Sequence, residues 1–580
     1  MEVELTRAFP LVRVERREGR GRCLVAARDI PAGTLVFSNR AAAAFPASDG
    51  RCMRCWVTSP ASGGALLRCT NCKSPYCCAA CQKSDWRASH RHECKPLRGF
   101  KSKDSNVPPA IWVPLLLAAR LYRNAGAPGG DDSEGASATA PTPFSASLAD
   151  AQSLIAPPAP ENGSSFSRAR TIAALGRTLE LFPVDVTDAR ATADQLSFDA
   201  NNFSLTDETL DIAGFGCYPA AALLNHSCAP SVVLSYGFAV GAPAEEATTL
   251  FCRTLVHVRE GEELTHSYVD ATKPVDTRRS ELRLQYGFVC DCSACVKEAS
   301  SSEAAAADAS GGASTDEAAR GRLMISQSRS LATEPDLPMT VSLLDAMRTE
   351  EPWPEAVPVP VAVAQNWKTD PAFPRFVGQL DLAVIIHGVR LLRRSLPPFH
   401  TDVMQGVHAA MSAALQMQNW VIAEAAARHL LADLRTRATF AHSVDDAGSG
   451  PAAPLYALQL VPVADIYAAW ARQLEIAAAA ETPGLGQAIA KGARVALPPV
   501  ALSADLLESR VRAATAFFAP PSTASCAAPL SVDQESISTK DFRAAAARLY
   551  ERAATCIELS FGAHSPYAKK QRSAAHAMTG

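Results

Sequence analysis

Four pairs of thiol and imidazole side chains crowd the stretch from Cys52 to Cys94: Cys52-x2-Cys55, Cys69-x2-Cys72, Cys77-x3-Cys81 and His90-x3-Cys94. Sulfur and nitrogen donors in short paired steps suit Zn²⁺, which takes four such ligands in a tetrahedron. The eight therefore make two closed sites, one of four cysteines and one of three cysteines with a histidine. Sites of this kind staple a short segment that has little apolar core of its own. His92 competes with His90, although only His90 makes the three-residue step to Cys94. Cys78, beside Cys77, is left as a bystander.

A second set of chemistry-bearing residues lies downstream. Leu224-Asn225-His226-Ser227-Cys228-Ala229-Pro230 is followed by Gly261-Glu262-Glu263-Leu264-Thr265-His266-Ser267-Tyr268, and then by Tyr286-Gly287-Phe288-Val289-Cys290-Asp291-Cys292-Ser293-Ala294-Cys295. The last run offers three sulfur ligands, so a closed third site needs a fourth from elsewhere.

In this order, and with Gly19-Arg20-Gly21-Arg22 and Ala27-Arg28-Asp29-Ile30-Pro31-Ala32-Gly33 near the N-terminus, these runs resemble a SET methyltransferase core with its post-SET cysteine cluster. The first cysteine segment, with Tyr76, Gln82 and Trp86 interspersed between its candidate ligands, closely resembles a MYND zinc finger. A finger interrupting a SET sequence is similar to the SET and MYND domain-containing protein lysine methyltransferases, over roughly residues 10–295 and more weakly beyond.

The resemblance implies S-adenosylmethionine as cofactor and three zinc ions. The finger's sites would interleave, Cys52, Cys55, Cys77 and Cys81 against Cys69, Cys72, His90 and Cys94. Cys228 would complete Cys290, Cys292 and Cys295. Tyr268, at the end of the Gly-Glu-Glu-Leu-x3-Tyr motif, would orient the lysine amine, and Tyr286 and Phe203 would line its channel. Arg20, Arg22, Asn201, Asn225, His226 and Phe288 would hold or cover the cofactor. Such chemistry is an in-line displacement on carbon. It needs a deprotonated amine held close to the reacting methyl, and a desolvated aromatic channel lowers the lysine pKa by disfavouring the ammonium.

Three departures from the family pattern stand out. Trp86 to His90 is one residue longer than usual, which keeps His90 and His92 both open. Cys23 stands where a second glycine is common, and would crowd the cofactor if that position needs positive φ. Ser231 replaces an asparagine while keeping some of its hydrogen bonding. The Cys23 departure keeps a second reading in play, a zinc-bearing interaction scaffold with a weak or inactive SET core.

The elements expected to position these residues form an α+β multidomain chain. A β-rich SET core (1–51 and 95–289) is split by a two-zinc MYND finger (52–94), and followed by the post-SET cluster (290–296), a linker (297–320) and an all-α tetratricopeptide-like domain (321–580). Residues 111–123 read as a helix, and the Ala-, Gly-, Ser- and Pro-rich stretch 124–168 as a flexible insertion. Helical periodicity marks a segment around Leu380–Leu392, then Thr401–Met417, Trp420–Thr436, Leu455–Leu474 and Asp541–Leu559, with a stop at Gly562.

With 580 residues, 48% hydrophobic and net charge −3, the chain has no whole-protein charge suited to nucleic acid. Nine Lys or Arg and two acids lie between Arg68 and Lys103. Seven thiolates around two Zn²⁺ leave about −3, which offsets part of that excess, so DNA is not among the expected partners. No apolar run suits a membrane or a signal core. Reduced thiols holding metal fit the cytoplasm or nucleus better than disulfides. The expected partners are a protein bearing the target lysine and a Pro-rich peptide at the finger, and the expected state is a monomer.

Overall fold

The computed structural model describes residues 2–60, 63–124, 144–145, 147–154, 163–238, 247–271, 273–296, 298–300, 315–331, 373–396, 401–417, parts of 419–430 and 458–472, and 539–579 apart from 563. Helix α1 (Glu2–Ala8) leads into an antiparallel hairpin of β1 (Val12–Arg17) and β2 (Gly21–Ala26), with Glu15 opposite Cys23. Its turn needs glycine, because Gly19 and Gly21 both have positive φ, 71° and 67°.

After β3 (Leu35–Arg40) and β4 (Ala43–Pro46) the chain leaves this region, returning with β8 (Asn202–Thr206) and β9 (Ile212–Cys217). β9 pairs antiparallel with both β4 and β8. β12 (Thr249–Thr254) pairs antiparallel with β3 and with β11 (Val232–Tyr236). Strands from before and after the excursion share sheets, so the intervening residues are an insertion into one core. Phe9, Phe37 and Phe45 bury with Tyr218, Leu250 and Leu264 from the far side of the insertion. Each such side chain contributes about 1.5–3 kcal/mol when fully buried, so this shared core ties the two halves together.

The insertion opens with the cysteine-rich segment, whose regular structure is a short ladder of β5 (Leu67–Arg68) and β6 (Pro75–Tyr76) and one unbroken helical run. That run comprises α2 (Ala79–Asp85), a π-helical turn (Trp86–His90) and α3 (Arg91–Phe100). α4 (Pro109–Asn124) follows, covering the expected 111–123. Next come β7 (Phe144–Ser145), α5 (Leu148–Gln152), α6 (Ser164–Thr178) and α7 (Asp188–Ala200).

The reading of 124–168 as flexible needs correction where the structure describes it; 125–143 and 155–162 lie outside the described residues. Ser147 and Asp150 form a reciprocal cap on α5. Gln152 Nε2 donates to Asp194 (2.8 Å), Ser197 Oγ to Leu154 O (2.9 Å) and Arg22 to Ser153 O (2.9 Å). Composition averaged over the stretch hides a short capped turn ordered by partners distant in sequence.

Beyond α8 (Val275–Tyr286) and the irregular stretch 287–292, the regular structure among the described residues is all helical. The helix Thr315–Leu331 begins inside the expected linker, of which 301–314 lie outside the described residues. Phe373–Ser395 and Thr401–Gln416 match two expected helices. Residues 422–427, 429–430, 460–469 and 471–472 are helical within two more, while 431–436 lie outside the described residues. The next helix among the described residues, Thr539–Phe561, stops at Gly562 (φ 95°) as expected.

A last helix, Pro566–Thr579, was not anticipated, although Ser565-Pro566 is a fitting start: Ser565 Oγ accepts from Ala568 N at 3.1 Å and proline takes the first turn. Glu208, in the β8–β9 turn, accepts from Tyr567 N at 2.9 Å and joins this helix to the core. No helix among the described residues is long and apolar enough to cross a membrane.

Candidate functional site

Twelve side chains gather into three clusters, in each of which the ligand atoms lie within 4.8 Å of one another: Cys52, Cys55, Cys77 and Cys81; Cys69, Cys72, His90 and Cys94; and Cys228, Cys290, Cys292 and Cys295. These are the three sets expected. A tetrahedron with Zn–S bonds of about 2.3 Å has edges of about 3.8 Å. The sulfur separations bracket that value: 3.4 Å for Cys55–Cys77, 3.8 Å for Cys69–Cys94 and 4.0 Å for Cys228–Cys290. They are far too long for disulfides. The donor set and its spacing fit zinc.

The structure also separates His90 from His92. His90 is buried with Nε2 3.4 Å from Cys72 Sγ, whereas His92 is exposed and accepts from Arg91. The reason is the π-helical turn, which takes up one extra residue and so keeps His90 and Cys94 on one side. Of the cysteines not assigned as ligands, Cys23, Cys217, Cys252 and Cys556 are buried and Cys78 is exposed; Cys526 lies outside the described residues.

The cysteine-rich segment is fixed to the core by one aromatic and one charged contact. Trp56, 1% exposed, lies over Gly214 of β9 so closely that a Cβ there would be 2.4 Å from the indole, and it stacks on Phe238 at 5.4 Å. On the other side Arg120 of α4 reaches Glu93 with two hydrogen bonds of 2.8 Å and Ala44 O with a third. Tyr76 donates to Asp85 beside this pair (2.7 Å). Both acids of the basic stretch are therefore used internally.

The third cluster and the candidate channel are built where two short parallel strands meet, β10 (Asn225–His226) and β13 (Thr265–His266). Ser231 joins them as its replacement of asparagine allows: its N–H donates to Thr265 O (3.0 Å) and its Oγ accepts from Thr265 N (2.9 Å). Tyr268 follows β13. Its hydroxyl donates to Leu224 O at 2.7 Å, and its N–H donates to His226 Nδ1 at 3.0 Å. The His226 proton therefore sits on Nε2, 3.2 Å from Cys228 Sγ. Gly287, at φ 77°, ends α8 and turns the chain so that Tyr286 lies 4.8 Å from Tyr268 and Phe288 5.9 Å from His226, ring centre to ring centre. Phe288 stays 37% exposed at the rim.

Phe203 comes in from β8 and stacks on His266 at 5.5 Å, and His266 in turn lies 4.9 Å from Tyr268. Burial raises the phenol pKa of Tyr268 and Tyr286 and lowers the His266 imidazole to about 3, so this wall is neutral.

The proposed cofactor residues are less uniform. Asn225 Nδ2 donates to Arg20 O (3.1 Å), Arg22 O (3.4 Å) and Glu263 (2.8 Å), and Arg20 pairs with Glu263 at 2.6 Å. The Arg22 guanidinium instead reaches Glu2 and Ser153 O, and Asn201 caps α7 with its amide on Ser197 O. Cys23 lies within β2 with its sulfur 3.5 Å from Glu15 O, and the left-handed positions are the neighbouring glycines. Glu263, His266 and Arg278 were missed as site residues. Glu263 and His266 lie inside a recognised motif whose spacing does not say which side chains face inward.

Residues 21–269 match the SET domain family. The chain is similar to histone-lysine N-methyltransferase ASHR1 of Arabidopsis thaliana (29% identical over 284 residues, 48% of this chain and 53% of that protein). It is likewise similar to N-lysine methyltransferase SMYD2 of Homo sapiens (29% over 282 residues, 48% and 58%) and of Sus scrofa (30% over 283 residues, 48% and 58%). The matched region thus spans little more than half the length of these relatives. On the SET match and these relatives, the chain carries a SET domain over residues 21–269 and is similar there to the SET-domain lysine methyltransferases.

Proposed function

We propose that the chain is an S-adenosylmethionine-dependent N-methyltransferase acting on lysines of histones or other proteins. The observation that carries this is the convergence of Tyr268, Tyr286 and Phe203 beside Asn225 and His226 within the stretch that matches the SET domain. The residues fit the cofactor: no heavy atom lies within 4 Å of a Cβ built on Gly19 or Gly21, and Arg20 and Asn225 flank that open turn. When bound, the cofactor supplies a methyl group made electrophilic by its sulfonium. Asn225, Arg20 and the His226 backbone would hold it, with Arg22 and Asn201 at the margin and Phe288 as cover.

The aromatic walls disfavour an ammonium and deliver the lysine as the free amine. Tyr268, whose own proton goes to Leu224 O, keeps lone pairs to accept from that amine and aim it. Tyr286 and Phe203, the latter through His266, narrow the channel and exclude water.

The same reading takes residues 52–94 as a MYND finger with two zinc ions and a surface for Pro-rich peptide, 290–296 as the post-SET segment holding a third zinc with Cys228, and 321–580 as a tetratricopeptide-like domain. It takes the protein as a monomer of the cytoplasm or nucleus. The scaffold alternative loses its motive, since Cys23 occupies a strand position where its side chain is accommodated.

The test is to incubate zinc-loaded protein with labelled S-adenosylmethionine and a pool of histones and cell lysate, alongside Tyr268→Phe. Transfer by the native protein and its loss by about 10²-fold or more in the variant is the expected result, because the amine loses its orienting group. No transfer, with no cofactor binding by calorimetry, sinks the proposal.

A further inference from the structure

We infer that Arg278 and His226 form the outer shell of the Cys228–Cys290–Cys292–Cys295 cluster, and through it make the placement of Tyr268 depend on the third metal ion. The inference rests on reading that cluster as a zinc site.

Arg278 lies in the first half of α8 with its side chain wholly buried. A guanidinium cannot be neutralised, so it is tolerated there only if its donors are met. They are. Nε–H donates to Cys228 Sγ at 3.3 Å, one terminal nitrogen faces Cys295 Sγ at 3.6 Å and Glu298 at 2.8 Å, and the other donates to Lys273 O. Glu298 is fixed in turn, because its second oxygen accepts from Val275 N at 3.0 Å. Four thiolates around Zn²⁺ carry about −2 in a buried place, and the arginine fork supplies both charge and directed N–H groups to two of those sulfurs. Outer-shell donors of this kind set ligand orientation and metal affinity.

His226 grips the same Cys228 sulfur from the other side. Its Nε2–H faces Sγ at 3.2 Å, and its Nδ1 accepts the N–H of Tyr268. Cys228 thus receives two donors, one from the helix that ends in Tyr286 and one from the ring that holds the Tyr268 backbone. When the sulfur is released from metal, both tyrosines lose a common anchor.

The test uses the full, zinc-loaded chain with Arg278→Gln, Arg278→Lys and Glu298→Gln. Metal content is measured first. Each protein is then exposed to EDTA with iodoacetamide, and labelling is followed by mass spectrometry for the Cys290–Cys295 peptide and for peptides carrying Cys52–Cys94. Arg278→Gln should speed labelling of Cys290, Cys292 and Cys295 by about 10–100-fold. Arg278→Lys should do so less, keeping the charge but losing the fork. Glu298→Gln, at the edge of the site, should act weakly in the same direction even if Arg278→Gln fails to fold. The finger cysteines should label at the native rate.

Hydrogen exchange of the peptide spanning Thr265–Val269 should quicken with zinc loss. Native labelling rates in both Arg278→Gln and Glu298→Gln, or equal acceleration at the finger, overturn the shell. Faster labelling without faster exchange at Tyr268 overturns the coupling. Two zinc ions per native chain instead of three overturn the site reading itself. None of these readouts depends on methyl transfer, so the inference and the proposed activity fail separately.

Discussion

Replacing Arg120 by alanine strands two acids in the interior. Its guanidinium holds Glu93, whose side chain is 0% exposed, and lies 3.8 Å from Asp85, which burial already pushes toward the protonated form. It also covers the Phe45 ring at 4.8 Å and bonds Ala44 O at 2.8 Å. Breaking one side of a buried pair costs about 3–5 kcal/mol, because the remaining carboxylate keeps its desolvation penalty without its partner. For a core of this size that is a fall of about 10 °C in Tm.

The sharper experiment is a double-mutant cycle with Glu93→Gln and Arg120→Met, followed by urea denaturation of zinc-loaded protein. Removing both charges should restore part of the loss, since Glu93 is then neutral and only Asp85, which burial already pushes toward the protonated form, is left without the guanidinium. The coupling energy should be about 2 kcal/mol or more. Because Glu93 sits between His90 and Cys94, the single variants should also loosen the second ligand cluster. An Arg120→Ala protein within about 1 kcal/mol of native, or a cycle with no coupling, refutes the argument that this pair clamps the cysteine-rich segment to the core.

Other outcomes follow from the same geometry. His90→Ala should lower the zinc content by one ion per chain and His92→Ala should leave it unchanged; plasma mass spectrometry of the purified variants decides, and the reverse result would undo the role given to the π-helical turn. Gly214→Ala should destabilise the protein by about 1–3 kcal/mol, since the added methyl meets the Trp56 ring at 2.4 Å and Phe45 O at 2.5 Å. Thermal melts indistinguishable from native would show that the indole has room to move.

Burial raises the folded-state pKa of Tyr268 and Tyr286 above the unfolded value of about 10, so the unfolded chain gives up these protons first. Their contribution is complete below pH ~10 and lost as pH rises through the folded pKa values. Urea midpoints measured from pH 8 to 11 should fall less steeply for Tyr268→Phe than for the native chain; equal slopes count against the buried neutral phenol.

The amino-acid sequence by itself marked the candidate ligands and the motifs. Cys-x2-Cys, Cys-x3-Cys and His-x3-Cys are local steps, and metal chemistry reads them directly because each pair sits on one turn or one helical face. Helices with long regular periodicity, such as 111–123 and Asp541–Leu559, were legible for the same reason. Tertiary structure decided what depends on partners far apart in the chain. The three-residue step to Cys94 favoured His90 over His92, but the π-helical turn that absorbs the extra residue and faces His90 inward is visible only in the structure. Cys23 falls at a strand position opposite Glu15, and the left-handed positions of the turn belong to Gly19 and Gly21. Arg120 and Arg278 look like ordinary helix arginines in sequence. Glu93 lies 27 residues from Arg120, and Cys228 lies 50 from Arg278. A buried charge is defined by what surrounds it, and that is settled only when the chain has closed around it.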